Sequence, residues 1–423
     1  MFKRVPGTKD ILPDQVFHWQ KLEETSRAIF SVYNYKEIRP PLVEDAVLFN
    51  RSLGEATEIV QKQMFLIHSS SLDQTAGGGD VYALRPEATA SIVRAYIENN
   101  LDKVTRFAKF YYLGPMFRME RPQKGRLRQF HQLGCEVIGS QDVAADIEVI
   151  ALADALLKKL GIKDYTIVVN SLGCPEDKKK LAALLREGLQ DKLGKLCPDC
   201  NNRFNRNVLR ILDCKNQACQ DMVNELGISN KHLCQECSEH FEKVKAGLDN
   251  LKIKYELSYY LVRGLDYYTR TVFEIIHGSL GGQQNALGAG GRYDNLIGDL
   301  GGEASGAIGF AFGIERLLLV APAQDEATRQ KLAYLITLGE QARSRGFLLL
   351  QRLRDAGIPA DTDFENKSVK AAMRKADDLK AKYVLILGDN ELQKNTVMMK
   401  DMALGEQKEV SLDRIVELLK ELI

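Results

Sequence analysis

Apolar residues along Phe17–Tyr33 (Phe17, Leu22, Ile29, Phe30) fall at helical spacing and predict an amphipathic helix, after an irregular lead-in over Val5–Pro13. Glu37–Val43 reads as extended, because residues ahead of Pro40 and Pro41 are pushed out of the helical region. Gln74–Asp80 reads as a glycine-rich turn between two short extended runs. Two strand-like runs then follow, Phe110–Phe117 and Arg128–Ile138, separated by a charged stretch that turns at Pro122–Gly125. Ala144–Leu160 has the spacing of a helix ended by Gly161, and Thr166–Asn170 that of a strand. Lys178–Gly247 is mostly charged helix and reads as an insertion set apart from what flanks it. Thr271–Ile276 is a strand, Ala289–Asp294 a glycine-rich turn, and Gly306–Leu319 a strand running into a helix.

The composition changes after Ala321–Asp325. Strands at Leu332–Thr337, Ile358–Asp363, Tyr383–Leu387 and Thr396–Asp401 alternate with helices at Gln341–Asp355, after Ser368 and at Leu412–Leu422, predicting a separate α/β module. The expected organisation is therefore 1–172 as the first part of a main domain, 173–250 as the insertion, 251–325 as the second part, and 326–423 as the C-terminal domain.

The chain has 423 residues, enough for two or three domains with a large core. Its 58 Lys+Arg nearly cancel 57 Asp+Glu, so any nucleic-acid contact must rely on local patches rather than on net charge. No apolar run approaches a membrane span and the first residues lack the apolar core of a signal peptide, so the expectation is a cytoplasmic protein with no membrane contact.

Chemistry concentrates on the hairpin. Arg118, Arg121, Lys124, Arg126 and Arg128 crowd into eleven residues of its connection. On the return strand Arg128, Phe130, Gln132, Gly134 and Glu136 share one face, while Gln129, His131, Leu133, Cys135 and Val137 take the other, more apolar one. Gly134 between Gln132 and Glu136 leaves room for a small molecule lying on the strand. Arginines above and a carboxylate below suit a ligand with both phosphates and a cationic group. Further on, Leu84–Thr89 places Pro86 at a helix start with Glu87 in its first turn, where a carboxylate complements the helix dipole. Arg316 lies near the start of the Gly306–Leu319 helix, where a cation is disfavoured by roughly 0.3–1 kcal/mol, which suggests a ligand that needs it. Six of the eight cysteines fall between Cys197 and Cys237. Two Cys-x-x-Cys pairs fit a tetrahedral zinc site made of Cys197, Cys200, Cys234 and Cys237, with Cys214 and Cys219 in reserve; reduced, packed thiols are the alternative.

The run FRMERP…GRLRQFHQLGCEVIG resembles motif 2 of the class II aminoacyl-tRNA synthetases in its histidyl-tRNA synthetase form. The helix and proline-interrupted strand before it resemble motif 1, which in the family builds a dimer interface. Leu84-Arg-Pro-Glu-Ala-Thr89 is similar to the family's RPEGT, with Ala88 in place of glycine. Leu261-Val-Arg-Gly-Leu-Asp-Tyr-Tyr268 and Ala289–Asp294 resemble two histidine-specific signatures, and Gly306–Leu319 resembles motif 3.

The resemblance covers nearly the whole chain and implies an α+β fold: an antiparallel sheet with flanking helices, a small insertion and a C-terminal α/β anticodon-binding domain. It implies ATP as substrate with Mg²⁺, L-histidine and its tRNA as partners, and a homodimer. Histidine would meet Glu87, Thr89, Arg118, Gln132, Glu136, Arg263, Tyr267 and Tyr268. ATP would meet Arg118, Arg126, Phe130, Gln132 and Arg316, with Arg118 and Arg263 catalytic. Lys367, Lys370, Arg374 and Lys375 would offer a patch for RNA phosphates. The other reading is the regulatory subunit of ATP phosphoribosyltransferase, a relative that binds histidine as a signal; it typically lacks the anticodon module and an intact RGLDYY.

Overall fold

The computed structural model describes residues 2–422 except 55–56, 69–80, 106, 124, 282–284, 323–331 and 366–367. The turn expected at Gln74–Asp80, and Lys124 and Lys367, lie outside the described residues. The chain divides into two compact units, Met1–Ala323 and Gln324–Ile423.

The first unit is built on an eight-stranded sheet. Its order is Lys36–Glu37, Ala108–Phe117, Gln129–Ile138, Ala307–Gly313, Ala286–Arg292, Thr269–His277, Tyr165–Ser171 and Tyr255–Leu257. Each outermost strand pairs parallel and all inner pairings are antiparallel. The alternation read from the hairpin sets its two faces. Leu133, Cys135 and Val137 are buried against the helices Pro13–Val32, Val143–Lys159 and Gln235–Asn250, while Gln132 and Glu136 face the opposite side. A three-stranded sheet, Val43–Asp45, Val81–Leu84 and Phe65–His68, joins the unit beside the helix Thr89–Glu98.

Two expectations change. Ala289–Asp294 is not a turn: Ala286–Arg292 is a strand, pairing with neighbours on both sides. Its glycines serve close packing, since a Cβ on Gly290 would press on the carbonyl of Gly309 and on the ring of Phe273. The insertion, in turn, does not stand apart. Leu181, Leu185, Phe204, Val208 and Ile211 belong to the same buried cluster as Tyr267, Tyr268 and Tyr293.

Arg292 ends that strand fully buried. It pairs with Asp146, with Nε 3.1 Å from Oδ2, and also with Asp294, and it donates to the carbonyls of Ser140 (2.8 Å) and Asp142 (3.1 Å). It thereby ties the start of the helix Val143–Lys159 to the sheet.

The second unit is a five-stranded sheet in the order Ala360–Thr362, Ala333–Thr337, Tyr383–Leu387, Thr396–Asp401 and Gln407–Ser411. Ser368 caps the helix Val369–Asp378 by accepting the N–H of Ala371. Lys370, Arg374 and Lys375 are exposed on that helix.

Removing one member of a buried, hydrogen-bonded pair leaves the other charge stranded. Asp146→Ala should therefore destabilise the first unit by about 3–5 kcal/mol. Chemical denaturation of the variant, with a loss under about 1 kcal/mol, would show that Arg292 finds other compensation.

Candidate functional site

Above the polar face of the sheet lies a cavity of about 960 Å³. Glu87, Thr89, Arg118, Arg126, Phe130, Gln132, Glu136, Arg263, Tyr267, Tyr268 and Arg316 all line it. They arrive from the hairpin, the start of the helix Thr89–Glu98, the irregular segment before Thr269, and the start of the helix Ile314–Val320.

The floor is acidic and buried. Glu136 accepts from the Thr89 hydroxyl (2.7 Å) and the Tyr293 hydroxyl (2.5 Å). Its side chain has space because the residue opposite on the next strand is Gly309, whose Cβ would collide with the carboxylate. Burial pushes the Glu136 carboxyl up to about 8; the two hydroxyl donors oppose the rise and the charge of Glu87 adds to it. Glu87 accepts the N–H groups of Thr89 (2.8 Å) and Ala90 (2.9 Å), so it satisfies donors that the helix start leaves open. Burial raises its pKa too, against those N–H donors and nearby Arg118. Tyr267, Tyr268 and Tyr293 form the wall beside the floor, with ring centroids 4.6 Å apart for the first pair and 5.6 Å for Tyr267 and Tyr293.

Gly134 serves a different purpose from the one expected. A Cβ there would lie 2.5 Å from the hydroxyl of Tyr112 and would also press on the carbonyl of Phe310. The space over Gly134 is filled by the Tyr112 ring of the paired strand, not left for a ligand. The open volume lies further out, over Gln132 and Glu136. Tyr112 and Tyr293 were not singled out from sequence; the pairing of Tyr112 with Gly134 is visible only once the register is known.

The arginines are held by neutral oxygens or single carboxylates. Arg118 Nε donates to the Pro86 carbonyl (2.9 Å), and its guanidinium lies 5.2 Å from the centre of the Phe130 ring. Burial lowers its pKa, with Glu120 and Glu87 opposing. Arg126 pairs with Glu120 at 3.3 Å. Arg316 donates to the carbonyls of Gly125 (3.1 Å) and Ala286 (2.7 Å), which links the hairpin connection to the sheet. Glu315 beside it accepts the His131 N–H at 3.0 Å and so fixes the helix start on the hairpin strand. Arg263 pairs with Glu274 at 2.9 Å, and its buried Nε has no hydrogen-bond partner among the described residues. Burial alone would lower the Arg263 pKa, but Glu274 and Tyr268 turn the net shift upward. The Gln132 side-chain oxygen is buried and likewise unpartnered. An acidic floor facing spare arginine donors can seat a cation at one end and phosphate oxygens at the other.

The segment carrying Arg263, Tyr267 and Tyr268 is held by residues that sequence reasoning did not mark. Lys178 Nζ donates to the carbonyls of Asp266 and Tyr268, both at 3.0 Å. Asn207 donates to the Asp266 carboxylate (2.8 Å) and Arg210 to the Gly264 carbonyl (3.1 Å). All three donors belong to the insertion.

The cysteines do not form the single site expected of Cys197, Cys200, Cys234 and Cys237. Among the described residues, Cys197 and Cys200 gather with Cys214 and Cys219, while Cys234 and Cys237 gather with Cys174 and Asp177. The reason is topological: each Cys-x-x-Cys starts a different helix, Pro198–Arg206 or Gln235–Asn250, and the two helices pack on different neighbours.

Glu136 gives this site a pH signature. A carboxyl whose folded pKa of about 8 lies above its ordinary 4.5 binds its proton more tightly in the fold. Its contribution to stability is therefore full below the ordinary value and is lost as pH rises through about 8. Denaturation at several pH values should show Glu136→Gln gaining on the parent by about 1.4 kcal/mol per pH unit within that window. Parallel stability curves for the two proteins would mean that the carboxyl titrates normally.

The family model for histidyl-tRNA synthetase matches residues 7–317, and one for an anticodon binding domain matches 332–422. A curated histidine–tRNA ligase of Halothermothrix orenii is 44% identical over 424 residues, covering 99% of this chain and 98% of the relative. One of Desulforamulus reducens is 45% identical over 420 residues, again covering 99% and 98%. The crystal structure of apo histidyl-tRNA synthetase from S. aureus superposes with a TM-score of 0.80 at 34% identity, covering 99% of this chain and all of that one.

Proposed function

The chain belongs to the histidyl-tRNA synthetase family and is a histidine–tRNA ligase, and from this we propose how its cavity carries out the two steps. In the first, a histidine carboxylate oxygen attacks the α-phosphorus of ATP, histidyl-adenylate forms and pyrophosphate leaves. In the second, a hydroxyl of the terminal ribose of the tRNA attacks the activated carbonyl, and AMP leaves.

The observation that carries this reading is the meeting in one cavity of buried Glu136 and Glu87 with Arg118, Arg126, Arg263 and Arg316. Glu87, Thr89, Glu136, Tyr267 and Tyr268 would hold the α-ammonium and imidazole, and Gln132 would bring its unpartnered oxygen to the same ligand. Imidazole offers both a donor and an acceptor, and a pocket pairing both rejects apolar analogues by roughly 10⁴–10⁵. Arg118 would bridge the carboxylate and the α-phosphate, Arg263 would meet the charge that develops there, and Arg316 and Phe130 would hold the nucleotide, with Arg126 on its phosphates. The reaction needs positioning and charge stabilisation more than covalent help, which buried guanidinium groups supply. Glu120 and Glu274, the carboxylates nearest the arginines, are oxygen donors that fit Mg²⁺ accompanying ATP. When bound, that ion would neutralise phosphate charge.

The exposed helix face with Lys370, Arg374 and Lys375 would meet the phosphates of the tRNA. A second copy of the chain would cover the three-stranded sheet, where Val43, Leu66 and Ile67 are 44%, 47% and 40% exposed. Among the described residues no helix is long and apolar enough to cross a membrane; work on tRNA would place the enzyme in the cytoplasm. The regulatory-subunit reading has less support, since the anticodon-binding match spans 332–422.

Arg263→Ala should slow histidine-dependent pyrophosphate exchange by at least about 10² while histidine still binds. Exchange at the parent rate would remove Arg263 from the chemistry.

A further inference from the structure

The insertion gathers its sulfurs into two groups, the first of them inside the buried cluster it shares with the catalytic unit. Cys197, Cys200, Cys214 and Cys219 bring their Sγ atoms within 4.8 Å of one another. The Cys197 and Cys214 sulfurs are 3.8 Å apart. A tetrahedral ion with Zn–S bonds of about 2.3 Å sets its sulfurs about 3.8 Å apart, whereas a disulfide needs about 2.05 Å. Two sulfurs also accept backbone N–H groups, Cys219 from Cys197 (3.3 Å) and Cys214 from Asn216 (3.4 Å). Cys197 precedes the first turn of the helix Pro198–Arg206 and Cys200 lies in that turn.

The second group has the same design. Cys174 caps the helix Pro175–Leu189, Cys234 caps Gln235–Asn250, and Cys237 follows in the first turn. Asp177 completes the set with a fully buried carboxylate. One of its oxygens is held by the Cys234 N–H (2.9 Å) and Lys180 (3.1 Å). The other, Oδ2, is buried, and the carboxylate's remaining side-chain partners are the thiols of Cys237 and Cys234. A buried carboxylate held against weak thiol donors is satisfied far better by a cation gathered between them.

We propose that the insertion holds two separate zinc ions, one on Cys197, Cys200, Cys214 and Cys219 and one on Cys174, Asp177, Cys234 and Cys237. Each binds one Zn²⁺; the first releases up to four thiol protons and the second up to three, and no electron moves. Soft thiolates in a tetrahedral set select zinc over hard cations. The ions would pin the two parts of the insertion that hold the segment 263–268. The first lies beside Asn207 and Arg210; the second closes the helix start that carries Lys178. The proposal does not depend on the ligase chemistry, so metal content tests it independently.

Full-length protein purified without chelators should carry about two zinc ions per chain by elemental mass spectrometry. Cys214→Ser and Cys174→Ser should each reduce this to about one, and the double variant to about none. A single site made by the two Cys-x-x-Cys pairs predicts about one ion, unchanged in both variants, and that result overturns the proposal. Because a variant can fail to fold, the unaltered protein is also titrated with an organomercurial in the presence of a zinc indicator. Zinc release that follows thiol modification supports the two sites. Thiols that react without releasing any metal, in protein prepared with zinc present, overturn them, as does iron found in place of zinc.

Discussion

The segment 258–268 must present Arg263, Tyr267 and Tyr268 to the cavity without a strand or helix of its own to hold it. An irregular buried stretch leaves carbonyls that need donors from elsewhere. Here they come from the insertion: Lys178 serves Asp266 and Tyr268, and Arg210 serves Gly264. Asn170 on the strand Tyr165–Ser171 adds a bond to Leu261 at 3.0 Å. The same lysine is desolvated enough for its pKa to fall, with Asp266 opposing the fall. The insertion is therefore part of the wall of the cavity, and its shared core with Tyr267, Tyr268 and Tyr293 follows from that role.

The second constraint is the burial of like charges. Burial first, and then the charge of Glu87, raise the proton affinity of Glu136, so the floor holds less than two full negative charges near neutral pH. Burial, and then the charges of Arg126 and Arg118, lower the pKa of Arg316, and each of the three arginines is held in place by a carbonyl or by Glu120. A zwitterionic amino acid together with a polyphosphate would supply each side with its missing partner. Glycines on the sheet make this arrangement fit: Gly309 clears the carboxylate of Glu136, and Gly134 clears Tyr112.

Much of this was legible in the sequence. The alternation of Gln129–Ile138 separated the cavity side chains from the core side chains, and the residues named through the family's motifs for histidine and ATP line one cavity. What sequence could not give was which strands lie side by side. Without the pairing of Glu136 with Gly309, or Tyr112 with Gly134, the glycines looked like space for a ligand or like a turn. Arg292 lies in the stretch read as a glycine-rich turn and is instead a buried tie to Asp146 at the end of a strand. Cysteine spacing showed pairs but not partners, because Cys174 lies far ahead of Cys234 in the chain and meets it only through the packing of two helix starts. In the C-terminal unit the strand Gln407–Ser411 escaped notice because it is a largely polar edge strand, with little apolar alternation to mark it.

The claim that the insertion sets the geometry of the reacting segment is tested most directly at Lys178, which holds that segment through two carbonyls beside the Asp266 carboxylate and does not line the cavity. Lys178→Met keeps the apolar stem and removes both hydrogen bonds. Histidine-dependent pyrophosphate exchange should fall by about 10², as a displacement of about 1 Å at a reacting centre does. Amide hydrogen exchange should speed up across 259–268 and not across the sheet. Exchange kinetics and amide protection both equal to those of the parent protein would contradict the account, leaving the insertion as a passenger on the catalytic unit.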